Sequence, residues 1–235
     1  MGILTCEWKK LAFANYIVSP KILESYLPKY TEIDFFHGKC FVSLVGFQFK
    51  NVAVGGIKIP FHTSFEEVNL RFYVKHFNGK EWRQGVVFIS EIVDKISLTI
   101  LANNLLHESY QNMPMRHTEE KFAEFNKYGY FWRKENEWQH FKVSADKNPL
   151  NVDKNSETEF LIQRLWGYGK HSEKVTNEYH VVHPLWQVYK VKNYSIKADF
   201  KLFGNDFSHL NNAKPHSIIL AEGSKTTAEY RGKLK

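Results

Sequence analysis

Cysteine is scarce in this chain: Cys6 and Cys40 are the two cysteines among 235 residues. Their spacing matches no metal-binding pattern. Glu7, Lys9 and Lys10 interrupt the apolar residues near the N-terminus, so we predict no signal peptide. Because disulfides are rare in the cytosol, we interpret the two cysteines as reduced thiols of a cytoplasmic protein.

Long apolar runs and clusters of basic residues are also missing from the sequence. No apolar stretch reaches the roughly 18 residues that a membrane-spanning helix needs. The net charge is +7, but the 32 lysines and arginines are scattered, and Lys9-Lys10 is the only lysine pair. We therefore expect neither a membrane nor a nucleic acid as partner.

Motifs for cofactors and metals are absent as well. The chain contains no glycine-rich phosphate loop and no nucleophile elbow, so we expect no nucleotide cofactor. Eleven histidines occur, but only His180 and His183 lie close together, and on a strand they would point to opposite faces. Because zinc needs further ligands that no spacing provides, we predict no metal site.

Aromatic residues, in contrast, are abundant at 16%, and they favour strands over helices. Turn signals alternate with aromatic runs, which predicts a single, mostly antiparallel β domain over residues 1–221 and a polar, mobile tail over 222–235. We expect two to four short helices, including one from Ser19-Pro20 to Pro28, with Ser19 as N-cap, and one at the capping box Ser156-x-x-Glu159. The other predicted segments are a helix over 94–105, strands over 40–49, 65–74, 85–93, 128–132, 138–143, 164–169, 179–182, 186–192, 196–203 and 217–220, and a loop over 145–157.

The segment 65–74 alternates with period two, which is typical of a strand whose two faces differ. One face is apolar, and every member of the other can form hydrogen bonds. The apolar face comprises Val68, Leu70, Phe72 and Val74, and the polar face comprises Glu67, Asn69, Arg71 and Tyr73.

Two interpretations of this polar face stay open: a solvated sheet face, or the wall of a ligand pocket inside a barrel or cone. Glu67 and Arg71 would lie about 13 Å apart along the strand and would not pair directly. In a pocket, Arg71 would clamp a carboxylate or phosphate, and Glu67 would act as a general acid or base.

The same segment carries the most specific of several motifs that occur in order along the chain. It reads Glu67-x-Asn69-x-Arg71-x-Tyr73-Val74. The other motifs are Trp8, Phe41-Val42-Ser43-Leu44-Val45, Gly85-Val86-Val87-Phe88-Ile89-Ser90, Phe160-Leu161-x-x-Arg164 and His183-Pro184-Leu185-Trp186. Together they resemble the YqjF-like family, a domain-of-unknown-function branch of the acetoacetate-decarboxylase-like superfamily. This resemblance implies a β-barrel or cone-like fold around a central cavity, with Tyr110 and His183 as further ligand-binding candidates.

One departure from the superfamily concerns its chemistry. Its decarboxylases form a Schiff base on a lysine, and the stretch that resembles that element is residues 107–115, which contains no lysine. A Schiff base requires a primary amine beside the substrate carbonyl, so we do not expect decarboxylation by this mechanism.

Three hypotheses on function follow from the sequence. The first is a barrel that binds a small carboxylate or carbonyl compound; as an enzyme it would be a lyase or hydrolase working without a lysine Schiff base. The second is a non-catalytic ligand carrier or sensor. The third is a structural or partner-binding protein whose interior is filled by its own aromatic residues. The oligomeric state, a homo-oligomer included, stays open.

Overall fold

The computed structural model of the protein describes residues 4–58, 62–95 and 109–235. The helix predicted over 94–105 lies outside these ranges from residue 96 onward. Within them, thirteen strands belong to one sheet, and none of the helices is long and apolar enough to cross a membrane. The strands are β1 (Leu4–Ile17), β2 (Glu32–Ile33), β3 (Phe41–Val54), β4 (Phe65–Phe77), β5 (Trp82–Val93), β6 (Tyr110–Asn112), β7 (Met115–Lys121), β8 (Asn126–Lys134), β9 (Glu137–Leu150), β10 (Trp166–Ser172), β11 (Val175–Val182), β12 (Val188–Lys197) and β13 (Ser217–Leu234).

Seven of these strands form a closed, cone-like ring in the order β1, β3, β4, β5, β10, β11 and β13, because β13 pairs back with β1. Neighbouring strands in the ring are antiparallel except β5 and β10. From β13 the sheet continues through β12, β9 and β8 to β7. This extension of the sheet packs against part of the outside of the ring. The predicted mainly β, mostly antiparallel and cone-like fold is confirmed.

The hairpin between β4 and β5 forms at the predicted Asn-Gly turn. Gly79 adopts a φ of 93°, a left-handed conformation that glycine tolerates without a steric penalty. The Oδ1 atom of Asn78 accepts hydrogen bonds from the backbone N–H groups of Lys80 and Glu81, both at 2.9 Å. Local turn chemistry therefore sets the register in which β4 meets β5.

Strand β4 is buried on both faces. Its apolar residues Val68, Leu70 and Phe72 are fully buried between the ring and strands β8 and β9, and each contributes about 1.5–3 kcal/mol of burial energy. Its polar face looks into the interior of the ring, where Glu67 is 2% and Asn69 1% exposed. The interpretation of a solvated polar face is therefore wrong.

The predicted C-terminal tail is the largest correction to the sequence-based picture. Residues 222–234 continue β13, an 18-residue strand that pairs in succession with β1, β12 and β11. Its inward positions include the small residues Ala221 and Thr226, which are almost completely buried. Small and hydroxyl-bearing residues give no apolar alternation, so the sequence signal for this strand was too weak to detect.

Several other boundaries differ from prediction. The two strands predicted over 186–203 are β12 followed by a 3-10 helix, Phe200–Phe203, and β9 extends to Leu150 into the predicted loop. The segment Pro20–Tyr26 is a 3-10 helix in which Ser19 makes no side-chain capping bond. A third 3-10 helix spans Asn205–Leu210. These errors fall where 3-10 turns and polar strand ends lack a distinct hydrophobic period.

The predicted helix after Ser156 is present as α1 (Glu157–Ile162). The Ser156 hydroxyl accepts a hydrogen bond from the N–H of Glu159 at 3.1 Å, as expected of an N-cap. The Glu159 carboxylate bonds to the N–H of Asn155, one residue before the cap. Leu161 and Ile162 of α1 are buried inside the ring, so this short helix forms part of the floor below its central cavity.

Candidate functional site

The interior of the ring encloses a cavity of about 190 Å³. Its wall is mainly aromatic and aliphatic, with polar groups projecting from β4 and β5. The lining residues are Leu4, Trp8, Leu11, Val45, Phe47, Phe49, Glu67, Asn69, Arg71, Phe88, Glu91, Tyr110, Gly167, Tyr168, Tyr179, Val181 and Ala228.

The structure brings together four of the six residues singled out from the sequence. Glu67, Asn69 and Arg71 line the cavity from β4, and Tyr110 lines it from β6. Tyr73 lies on the same face of β4 but outside the lining. Its hydroxyl is 2.6 Å from the Ser43 hydroxyl, and its ring packs 5.5 Å from Phe160. Tyr73 therefore supports the floor of the cavity.

His183 lies apart from this group, in a neighbouring cleft of about 680 Å³. Its imidazole stacks on Trp186 with a 4.0 Å centroid separation, and its Nδ1 is 2.9 Å from the carbonyl oxygen of Pro184. Burial lowers the pKa of His183 below its ordinary value. These contacts match a neutral imidazole that holds the chain at a proline bend.

Arg71 is the cationic group of the cavity wall, and its guanidinium is only partly satisfied. Its Nη2 donates a hydrogen bond of 3.0 Å to the carbonyl oxygen of Leu161 in α1. The guanidinium also lies over the Phe13 ring at 5.0 Å. Its buried Nε–H has no hydrogen-bond partner among the described residues. A guanidinium held in this way keeps a donor available for an oxygen of a ligand.

Glu67 is a fully buried carboxyl group with a strongly shifted pKa. Burial raises the pKa of its carboxyl to about 7, against the hydrogen bond from Asn69 and the charge of Arg71, which both lower it. The bond from the Asn69 Nδ2 to the Glu67 Oε1 measures 2.8 Å. Both protonation states are therefore populated near neutral pH, which is the condition for general acid–base catalysis.

Glu91 is a second carboxyl group in the cavity wall, and the sequence reasoning missed it. It pairs with Asn69 across the β4–β5 ladder, and it is 3% exposed. The available signal was a charged residue inside Val86–Val93, a strand that is otherwise almost entirely apolar. Glu91 therefore belongs to the residues of the cavity wall.

No lysine lines the cavity within the described part of the chain. The stretches outside that part, residues 1–3, 59–61 and 96–108, also contain no lysine in their sequence. The cavity wall thus offers no lysine amine for a Schiff base. In the same described residues, no group of three or more histidine, cysteine or acidic side chains is arranged to hold a metal ion, and Cys6 and Cys40 are unpaired, buried thiols.

Comparison with solved structures identifies the fold as that of acetoacetate-decarboxylase-like proteins. Acetoacetate decarboxylase from Legionella pneumophila matches with a TM-score of 0.68 and 10% identity, over 99% of this chain and 87% of that chain. The enduracididine biosynthesis enzyme MppR, complexed with the condensation product of pyruvate and imidazole 4-carboxaldehyde, matches with a TM-score of 0.64 and 9% identity. This match covers 100% of this chain and 88% of that chain. An acetoacetate decarboxylase-like enzyme from Sphingomonas wittichii RW1 matches with a TM-score of 0.57 and 12% identity, over 98% of this chain and 90% of that chain. Identities this low establish a common fold and nothing further.

The sequence assigns the family within this fold. The DUF2071 family of uncharacterized conserved proteins matches residues 5–225, so the chain belongs to it. The protein YqjF of Bacillus subtilis (strain 168) is 29% identical over 109 residues. That match covers 46% of this chain and 43% of YqjF, so it spans less than half of the relative's length. The resemblance noted from the motifs is confirmed.

Proposed function

We propose that the protein binds a small carboxylate or carbonyl compound in the cavity of the ring. The observation that carries this proposal is Arg71, a guanidinium that is 7% exposed, lines the cavity and keeps an unpartnered Nε–H. A buried donor without an acceptor costs about 1–3 kcal/mol, and a carboxylate oxygen would remove that cost. The hypothesis of a self-filled interior is disfavoured by the same cavity.

The size of the cavity limits the ligand. An apolar cavity of about 150 Å³ is known to take up benzene, so 190 Å³ corresponds to a ligand of about six to eight non-hydrogen atoms. Phe47, Phe88 and Leu11 would surround its carbon skeleton. A protein with the same fold, MppR, has a structure complexed with pyruvate, which is a ligand of this size class.

A catalytic role is the second candidate function, and Glu67 is the observation that favours it. A carboxyl group with a pKa near 7, next to the proposed carboxylate anchor, matches the requirements of a general acid or base. By analogy with the fold, the reaction would be that of a lyase or hydrolase. It would proceed without a lysine Schiff base, because no lysine lines the described cavity wall. The two unpaired thiols support a cytoplasmic location, where cysteines stay reduced.

Ligand binding is tested by replacing Arg71 with glutamine. We expect the affinity for small carboxylates such as butyrate and acetoacetate, measured by titration calorimetry or ligand-observed NMR, to fall about 30-fold, because a charge-assisted hydrogen bond is lost. Arg83→Gln is the matched control, since Arg83 bonds to Glu178 at 3.0 Å and lies outside the lining. Binding of these acids that is the same in both variants would contradict the role of Arg71.

Catalysis is tested with a panel of small oxo and hydroxy acids, followed by NMR over several hours. We expect any turnover to drop by about 100-fold in Glu67→Gln, in line with loss of a general acid or base. Turnover should persist in Glu66→Gln, because Glu66 lies on the opposite face of β4, where its carboxylate is hydrogen-bonded to His117. Binding without turnover would assign the protein as a carrier or sensor. A lysine adduct trapped by borohydride would contradict chemistry without a Schiff base.

A further inference from the structure

We propose that the ligand of this cavity is a small hydroxy acid, a carboxylic acid that also carries a hydroxyl group as a hydrogen-bond donor. This inference rests on the proposed binding function and names the chemical class of the ligand. Trp8, Asn69 and Arg71 of the cavity wall each carry a buried side-chain atom that has no hydrogen-bond partner among the described residues: Nε1 of Trp8, Oδ1 of Asn69 and Nε of Arg71.

These three atoms differ in what they require. The N–H groups of Trp8 and Arg71 are donors and need acceptors, whereas the Asn69 Oδ1 is an acceptor and needs a donor. The orientation of the Asn69 amide follows from its Nδ2, which donates to Glu67 at 2.8 Å and leaves Oδ1 as the remaining oxygen. Native proteins satisfy nearly all buried polar atoms, so these three atoms call for partners that a ligand of the cavity can supply.

A carboxylate alone supplies only part of this pattern. Its oxygens accept from Arg71 and from Trp8, but an ionised carboxylate has no hydrogen to give to Asn69. An oxo acid has the same deficiency, because a ketone oxygen is also only an acceptor. A hydroxyl group on the same carbon skeleton donates to Asn69 and completes the set.

The spacing along β4 suits such a molecule. Asn69 and Arg71 occupy alternate positions on one strand, so their Cα atoms lie about 7 Å apart on the same face. A chain of three or four carbons can therefore carry one polar group toward each of these two neighbouring side chains. Trp8 on β1 lines the cavity together with both residues and adds its donor to the acid group.

The test compares three acids with the same four-carbon skeleton: 3-hydroxybutyrate, acetoacetate and butyrate. In titrations at one fixed pH, we expect 3-hydroxybutyrate to bind the unaltered protein about tenfold more tightly than either of the others, as one additional hydrogen bond implies. Asn69→Leu should remove this preference. Trp8→Phe should weaken all three acids by a similar factor of about ten and keep the preference.

Trp186→Phe is the matched control for the indole, because its Nε1 donates to Ser224 at 3.0 Å and Trp186 lies outside the lining. It should leave the order of the three affinities unchanged. The series on the unaltered protein decides the question even if a variant does not fold.

The outcomes separate this inference from the proposed function. Equal affinities for the three acids, with binding that still depends on Arg71, would overturn the hydroxy acid and leave carboxylate binding intact. Tighter binding of 3-aminobutyrate than of 3-hydroxybutyrate would overturn the hydroxyl in favour of an amine. Failure of every acid to bind would overturn both the inference and the proposed function.

Discussion

Replacing Glu67 by glutamine is expected to raise the free energy of unfolding by about 3 kcal/mol at pH 8 and to leave it unchanged at pH 4. The cause is burial, which raises the pKa of this carboxyl from 4.5 to about 7. Below pH 4.5 the group is protonated in both the folded and the unfolded chain. Between that pH and 7 the unfolded chain releases its proton while the folded protein retains it, so stability falls as pH rises.

Glutamine removes this penalty because it is neutral at every pH and keeps an oxygen for the hydrogen bond from Asn69. The measurement is urea unfolding of both proteins at several pH values from 4 to 8. A difference that does not change with pH would contradict a raised pKa at Glu67.

The control for this prediction is the adjacent residue. Burial raises the pKa of Glu66, but the hydrogen bond and charge of His117 outweigh it, so this pKa lies below its ordinary value. A lowered pKa gives stability that is present above the ordinary pKa and is lost as pH falls. Glu66→Gln should therefore change stability with the opposite sign near neutral pH. The two variants thus compare a buried carboxyl that destabilises the fold, Glu67, with a paired carboxyl on the opposite face of β4, Glu66.

Such a cost in stability is typical of functional sites. A neutral or apolar residue at position 67 would be more stable inside the ring, and selection for stability alone would favour it. A carboxyl group retained in this setting is consistent with a role in ligand binding or proton transfer.

Asp34→Asn is expected to lower the free energy of unfolding by about 3–5 kcal/mol. The Asp34 carboxylate accepts a hydrogen bond of 2.6 Å from Arg164, whose side chain is 1% exposed. The guanidinium also lies over the rings of Phe160 and Tyr73, at 3.9 and 5.2 Å. Asparagine would leave this buried cation without its counter-charge, and desolvation would then oppose folding.

The measurement is again urea unfolding, with Asp146→Asn as the control. Asp146 pairs with Lys192 at 2.8 Å on the surface, so its replacement should cost no more than about 1 kcal/mol. The double variant Asp34→Leu/Arg164→Met should recover most of the loss, because both buried charges are then removed. Equal costs for Asp34→Asn and Asp146→Asn would contradict a buried ion pair below the cavity.

The site was predictable from sequence to the extent that it lies on one strand. Period-two alternation placed Glu67, Asn69 and Arg71 on a common face, and the Asn78-Gly79 turn determined the hairpin that follows. Trp8 joins them from β1, which no local pattern relates to β4. Glu91 joins them from β5, where a register shift between the pairings of Leu70 and Arg71 interrupts the period-two alternation. The position of Trp8 depends on the long-range pairing of β1 with β3, and that of Glu91 on an irregularity within β5.

By itself, the sequence determined the mainly β class, the polar face of β4, the family and the absence of a lysine where the superfamily has one. Only the tertiary structure decided that this polar face is enclosed. The enclosure depends on closure of the ring by pairs such as Leu4 with Ala228, from opposite ends of the chain. Burial inside that ring raises the pKa of Glu67 and keeps the Nε–H of Arg71 from water, so a polar strand face becomes a candidate ligand site.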